Sequence, residues 1–134
     1  MASKEVASAQ SSKVALRLAP LIAAWLVPGG GHFWLRRSGR GAILLASVGL
    51  MFVSGLVMRG RFFELAPSDI VETLGFLGDF CSGLFYLAAK FAGYAVPVSA
   101  SPIADYGTKF LLVAGLLNVL CILDAYDIAV GNKD

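Results

Sequence analysis

The sequence predicts an all-α integral membrane protein: a helical bundle of three to four helices, with a Pro-Gly-Gly-Gly turn after the first. Apolar residues make up 57% of the chain, against roughly 45–50% in soluble domains. Mean hydropathy is +0.75. Charged residues account for only 15% and gather at the borders of apolar runs. A chain of 134 residues makes one domain. Its net charge of +2 is too small and too dispersed to recruit nucleic acid.

Residues 1–13, "MASKEVASAQSSK", are small and polar and read as a disordered tail. Residues 14–134 then form the single transmembrane domain. The first helix covers about 14–27. Its 14 residues reach about 21 Å, short of a hydrocarbon core roughly 30 Å thick. A basic start before an apolar run resembles a secretory signal, yet "VPGGGHFW" lacks the small-x-small pattern of a cleavage site. The expectation is retention as a membrane helix.

The second helix, about 42–58, is "AILLASVGLMFVSGLVM", 17 residues without a charge. Arg36, Arg37 and Arg40 precede it, and Arg59 and Arg61 follow. Each can extend its guanidinium to the headgroups while its methylenes stay in the apolar layer.

The third helix, about 69–95, opens with Asp69 three residues before Glu72, the pattern of a capping box. Ile70, Leu74, Leu77, Cys81, Leu84, Ala88 and Phe91 recur at helical spacing. The other face carries Glu72, Asp79, Ser82, Tyr86 and Lys90. Two readings stay open: an amphipathic helix lying in the interface, or a span whose polar stripe faces other helices. Pro97, Pro102 and Gly107 predict an irregular linker over 97–109. The fourth helix, about 108–130, is long enough to cross but holds Asn118, Asp124 and Asp127. Lysines and arginines distribute so evenly that the positive-inside rule leaves topology open.

"WLVPGGGHFWLRRSGRG", residues 25–41, interrupts the apolar pattern. Pro28 disfavours helical geometry at Val27, and Gly29, Gly30 and Gly31 permit backbone angles closed to other residues. The expected result is a sharp turn over 28–31. His32, Phe33 and Trp34 then form an anchor at the headgroup level, completed by Arg36, Arg37 and Arg40. A phosphate-binding loop would need Lys and Ser or Thr after the last glycine, where His32, Phe33 and Trp34 stand. A lone imidazole cannot build a metal site, though His32 could serve as axial ligand to a pigment or haem. No other cofactor is expected. Cys81 and Cys121, 40 residues apart, read as inert thiols rather than a metal or redox pair.

The stretch "GGGHFWLRRSGRGAILL" resembles the G-x-x-G-x-H-x-F-Y-x-G-x-x-x-x-G core of the TM-two domain family of small membrane proteins. The chain resembles still more an uncharacterised group of small bacterial membrane proteins, through its "LVPGGGHFWL" segment and the C-terminal "AGLLNVL..LDAYDIAVG". These similarities cover residues 21–46 and 106–133. Trp34 stands where the TM-two core has Tyr, and Arg36 where it has Gly. The resemblance implies a multi-pass protein of the bacterial inner membrane and names no activity.

Three classes of function are open to such a chain. A non-enzymatic accessory or scaffold subunit of a larger membrane complex, such as a bioenergetic or photosynthetic one, leads. Its partners would be the lipid bilayer and other membrane subunits, or further copies of itself. Small-x-x-x-small pairs such as Gly78 with Ser82 and Ala89 with Gly93 suit close helix packing. A small oligomeric transporter or proton-linked channel is the alternative, motivated by the intramembrane Asp79, Asn118, Asp124 and Asp127. An enzyme is third, since no serine or cysteine sits at a turn suited to a nucleophile. An arginine partner is expected for Asp124 and Asp127, with Arg36 and Arg37, beside His32, favoured over Arg17, Arg59 and Arg61.

Overall fold

The structure, a computed structural model, describes residues 2–98 and 100–132. Met1 of the expected tail, Ser99 of the expected linker and residues 133–134 of the expected domain lie outside the described residues. The described residues form helices and connections only: α1 (Ala2–Leu26), α2 (Gly30–Trp34), α3 (Ser38–Val57), α4 (Ile70–Phe80), α5 (Leu84–Phe91) and α6 (Pro102–Ala129). The all-α expectation holds, but six helices replace the expected three to four. Two of them, α3 and α6, are long and apolar enough to cross a membrane. The pair α4 and α5 qualifies only when taken together, and it is bent by 102°.

α3 and α6 form an antiparallel axis. Near one end, Leu44, Ser47 and Val48 face Leu117, Cys121 and Asp124. At the other, Gly55 and Gly60 lie against Gly107 and Leu111. Glycine at 107 is a requirement of distance: an added Cβ would sit 2.7 Å from the Gly60 nitrogen and 2.9 Å from the Gly55 carbonyl. This explains why the expected linker over 97–109 is largely helical. Pro102 occupies the first turn of α6, where its missing N–H costs nothing, and Gly107 admits the neighbouring backbone.

The remaining helices are paired into hairpins. α2 folds back on α1, with Gly31 against the Pro20 carbonyl and the Ala24 and Ala125 methyls. That hairpin belongs to the Asp124 end of the axis. α4 and α5 make an open hairpin at the other end. Phe63, which follows α3, reaches α4 through the Asp79 carboxylate at 2.8 Å. Tyr94, which follows α5, donates its hydroxyl to Gly60 O at 2.7 Å. Arg61, next to Gly60, pairs with Glu72 in the first turn of α4, so the hairpin starts and finishes near Gly60.

The sequence reading of one helix over 69–95 is corrected by this break. Residues 81–83 form a turn, and Gly83 sits at φ +62, outside helical geometry. Within this segment the structure shows which face is buried against the rest of the chain. Ile70 and Phe91 are 76% and 88% exposed, and Leu74, Leu77 and Leu84 face outward with them. Asp79, Ser82 and Tyr86 are buried. The polar stripe points inward and the apolar stripe outward, the reverse of a water-soluble helix.

The core lies between α3, α5 and α6 and joins Val48, Phe52, Leu111, Ala114 and Cys121 to the aromatic rings of Phe62 and Tyr86. Phe62 meets Tyr86 edge-on at 5.1 Å and Tyr94 at 5.7 Å, geometries that favour ring edges against ring faces. α3 runs unbroken through Gly49, as its sequence predicts.

The expected disordered tail is helical from Ala2 onward. Residues 2–18 contain neither glycine nor proline, and their Ala, Glu, Gln and Lys are good helix formers. All of these residues are exposed, and burial begins around Pro20.

Gly107→Ala should lower stability by about 3 kcal/mol, because the added methyl meets backbone rather than a yielding side chain. Gly39→Ala, where an added Cβ would meet nothing within 4 Å, should cause no loss. Thermal unfolding in detergent compares the two.

Candidate functional site

A helix that stops inside a protein leaves its last carbonyls without amide partners. Here two helices stop at one place. α4 ends at Phe80, and α1 ends at Leu26. Asp79 O accepts from the Ser82 hydroxyl at 2.6 Å and from Ser82 N at 3.0 Å. Phe80 O accepts from Gly83 N at 3.0 Å and from the Trp25 indole N–H at 3.3 Å. Cys81 O accepts from Asn118 Nδ2 at 2.8 Å, and the same Nδ2 donates to Trp25 O at 3.1 Å. The opposite amide orientation would set Oδ1 against two carbonyl oxygens, so the assignment is fixed by the partners.

One side chain of α6 thus joins the ends of two hairpins that approach from opposite ends of the α3–α6 axis. The approach is close. A Cβ on Gly83 would lie 1.8 Å from Trp25 O, and one on Gly115 would lie 1.8 Å from Gly78 O. The Trp25 and Phe80 rings meet beside this junction, tilted by 46° with centroids 5.2 Å apart. Asp79, one turn of chain from the break, is fully buried with Oδ2 on Phe63 N. Three buried side-chain atoms have no hydrogen-bond partner among the described residues: Asp79 Oδ1, Asn118 Oδ1 and His32 Nδ1.

A second polar contact lies at the Asp124 end. His32 Nε2 is 2.7 Å from Asp124 Oδ2, with His32 fully buried and Asp124 24% exposed. The connection is 92 residues long in sequence and ties α2 to the last turns of α6. At the Gly60 end, Arg61 and Glu72 form a bidentate pair at 2.6 Å and 3.4 Å. The hydrogen bond to Glu72 holds the Arg61 pKa above its ordinary value. Glu72 therefore does not complete a capping box. Asp69 alone caps α4, accepting from Val71 N and Glu72 N.

The structure separates the residues singled out from sequence. Pro28 and Gly29 form the turn between α1 and α2, but Gly30 and Gly31 are already helical, so the turn is shorter than expected. Gly29 supplies the left-handed geometry, at φ +77. Phe33 and Trp34 are exposed beside Arg36 and Arg40. His32 is not part of an exposed anchor, because α2 turns it toward α6. Asp124 contacts His32, whereas an arginine was expected. Among the described residues no ion pair joins Asp127 to Arg36 or Arg37. Asp79 and Asn118 line the interior, and Cys81 and Cys121 are unbridged thiols.

The two ring nitrogens of His32 differ: Nδ1 has no hydrogen-bond partner among the described residues. Both ring nitrogens are enclosed by protein, and Nε2 is engaged by Asp124. Among the described residues no group of three His, Cys, Asp or Glu side chains could hold a metal ion. Sequence reasoning missed Trp25, Ser82 and Gly83 as junction residues. The signal was Ser82-Gly83 within a helical pattern, since an isolated glycine there costs about 1 kcal/mol and marks a candidate break.

A protein-family model described as a family of unknown function, DUF6677, matches residues 19–134. The match begins where α1 first becomes buried. Neither a curated protein nor a solved structure matches the chain.

Asn118→Leu keeps the volume near its original value but strips donors from Trp25 O and Cys81 O. At about 1–3 kcal/mol for a buried unpaired group, the variant should lose on the order of 3 kcal/mol. Thermal unfolding in detergent reads the loss, and an unchanged midpoint would show that the junction does not depend on the amide.

Proposed function

This chain belongs to the DUF6677 family, and we propose that it is a multi-pass protein of the bacterial inner membrane, acting as a non-enzymatic accessory or scaffold subunit of a larger membrane complex. α3 and α6 cross the bilayer in this reading. The α1–α2 and α4–α5 hairpins enter from opposite faces and meet at Asn118. Lipid supplies no donors for exposed carbonyls, so such broken segments persist only where protein covers them. Asn118, Trp25 and Ser82 do so here.

The observation that carries the scaffold reading is how the interior polar groups are engaged. Asn118, Asp79 and His32 all make contacts that hold one element of this chain to another. The outward faces of the long helices are apolar, with Ile43, Leu50, Val53 and Val57 on α3 and Leu116, Leu120 and Leu123 on α6. A rigid interior with apolar flanks suits packing against other membrane helices. The exposed half of α1 supports the same reading, since an isolated helix of this length is marginal in water and gains from a partner.

Extraction in mild detergent should yield the chain within a larger complex. Removal of residues 2–18 should weaken that association while leaving the thermal midpoint of the isolated chain unchanged. Isolation of the full chain only as a monomer or homodimer would contradict the proposal.

The second reading, a small oligomeric transporter or proton-linked channel, rests on one observation. The C-terminal ends of α1 and α4 converge beside the buried Asp79, and secondary transporters place broken helices at the bilayer midplane. Proton or cation flux into liposomes, lost in Asp79→Asn, would favour it over the scaffold.

A further inference from the structure

Between the open ends of α4 and α5 lies a cleft of about 360 Å³, within the range of small-molecule sites. Arg61 and Glu72 stand on one side, Lys90 and Tyr94 on the other, with Phe62 and Glu64 completing the charged and aromatic lining. Ala66 and the 95–98 segment add apolar surface. The cleft occupies the Gly60 end of the axis, where α3 ends at Val57 and α6 begins at Pro102. In a bilayer crossed by α3 and α6, that is the level of the lipid headgroups.

The charges in the cleft are not equivalent. Arg61 and Glu72 neutralise each other through their bidentate pair. Among the described residues no ion pair is formed by Lys90 or Glu64. The Lys90 ammonium lies over the Phe62 ring at 5.6 Å and over the Tyr86 ring at 5.8 Å, which steers it across the cleft floor. One cleft therefore offers a cation and a carboxylate that, among the described residues, stand outside any ion pair, at headgroup depth. Beside it, Phe91, next to Lys90, is 88% exposed, where acyl chains would lie.

We propose that this cleft binds the zwitterionic headgroup of an amine-bearing phospholipid, its phosphate on Lys90 and its primary ammonium on Glu64. A phosphate carried by a lipid or by a soluble phosphoethanolamine presents the same two charges; the flanking apolar surface assigns the lipid. Arg61 contributes a wall rather than a ligand, since Glu72 holds its guanidinium. The inference requires the membrane placement but not the scaffold role.

Native mass spectrometry of the full chain in detergent, mixed with defined phospholipids, tests it. Phosphatidylethanolamine should be retained about tenfold more than phosphatidylglycerol, whose headgroup lacks the ammonium. Glu64→Gln should abolish that preference, and Lys90→Gln should weaken retention of both lipids. Lys90→Arg should restore it, which separates loss of the cation from loss of the fold. Equal retention of the two lipids by the unaltered chain would overturn the proposal. So would equal losses in Lys90→Arg and Lys90→Gln. Free phosphoethanolamine binding as tightly as the phospholipid would overturn the lipid assignment.

Discussion

Two carbonyl oxygens from helices that stop inside the molecule converge on one amide, that of Asn118, and the architecture depends on that contact. A broken helix is costly wherever water cannot reach it, because each liberated carbonyl loses its donor. Here Trp25 O and Cys81 O share the two protons of one side chain, at 3.1 Å and 2.8 Å. Neither hairpin is self-sufficient at its tip. Each is completed by α6, and the two complete each other through the Trp25 indole on Phe80 O. Close packing follows from the same constraint. Gly83 and Gly115 are the positions where a side chain would collide with a facing carbonyl, so small residues and hydrogen bonds act together.

From that junction the two ends of the molecule differentiate. Toward Asp124, a buried imidazole ties α2 to α6 across 92 residues of sequence. Toward Gly60, the extended segment after α3 is fixed by Thr108 on Arg61 N and Asp79 on Phe63 N, at 3.0 Å and 2.8 Å. The first end brings together the glycine-histidine stretch and Asp124. The second opens into a cleft of mixed charge. Under the proposed placement the polar groups of the interior hold the fold, and the chemistry available to a ligand lies at the boundary.

Much of this was legible in the sequence, and the illegible part has physical causes. α3 follows directly from an uncharged apolar run of spanning length. The capping role of Asp69 follows from local chemistry. The orientation of the third segment stayed open because periodicity marks which residues share a face, not which face is buried. In water the apolar face turns inward; here it turns outward, with Ile70 and Leu74 exposed and Asp79 enclosed. The break at Gly83 was masked because the sequence on both sides keeps one helical period. Gly107 misled for the opposite reason: a residue that reads as a helix breaker is in this fold a contact point for Gly60. His32 was recognised as unusual but placed in an exposed anchor, since its partner lies 92 residues away and no local pattern announces it.

Thiol labelling from one side of the membrane tests the central arrangement most directly. Single cysteines at Ser12, Ser38, Ser68 and Ala95, all exposed, would be introduced into a chain with Cys81 and Cys121 replaced by alanine. A membrane-impermeant reagent applied to oriented vesicles should label Ser12→Cys and Ser38→Cys from one side, and Ser68→Cys and Ala95→Cys from the other. This is the pattern of two crossings with a re-entrant hairpin from each face. Labelling of positions 68 and 95 from opposite sides would mean that α4 and α5 cross the bilayer as one broken span, and would contradict the account.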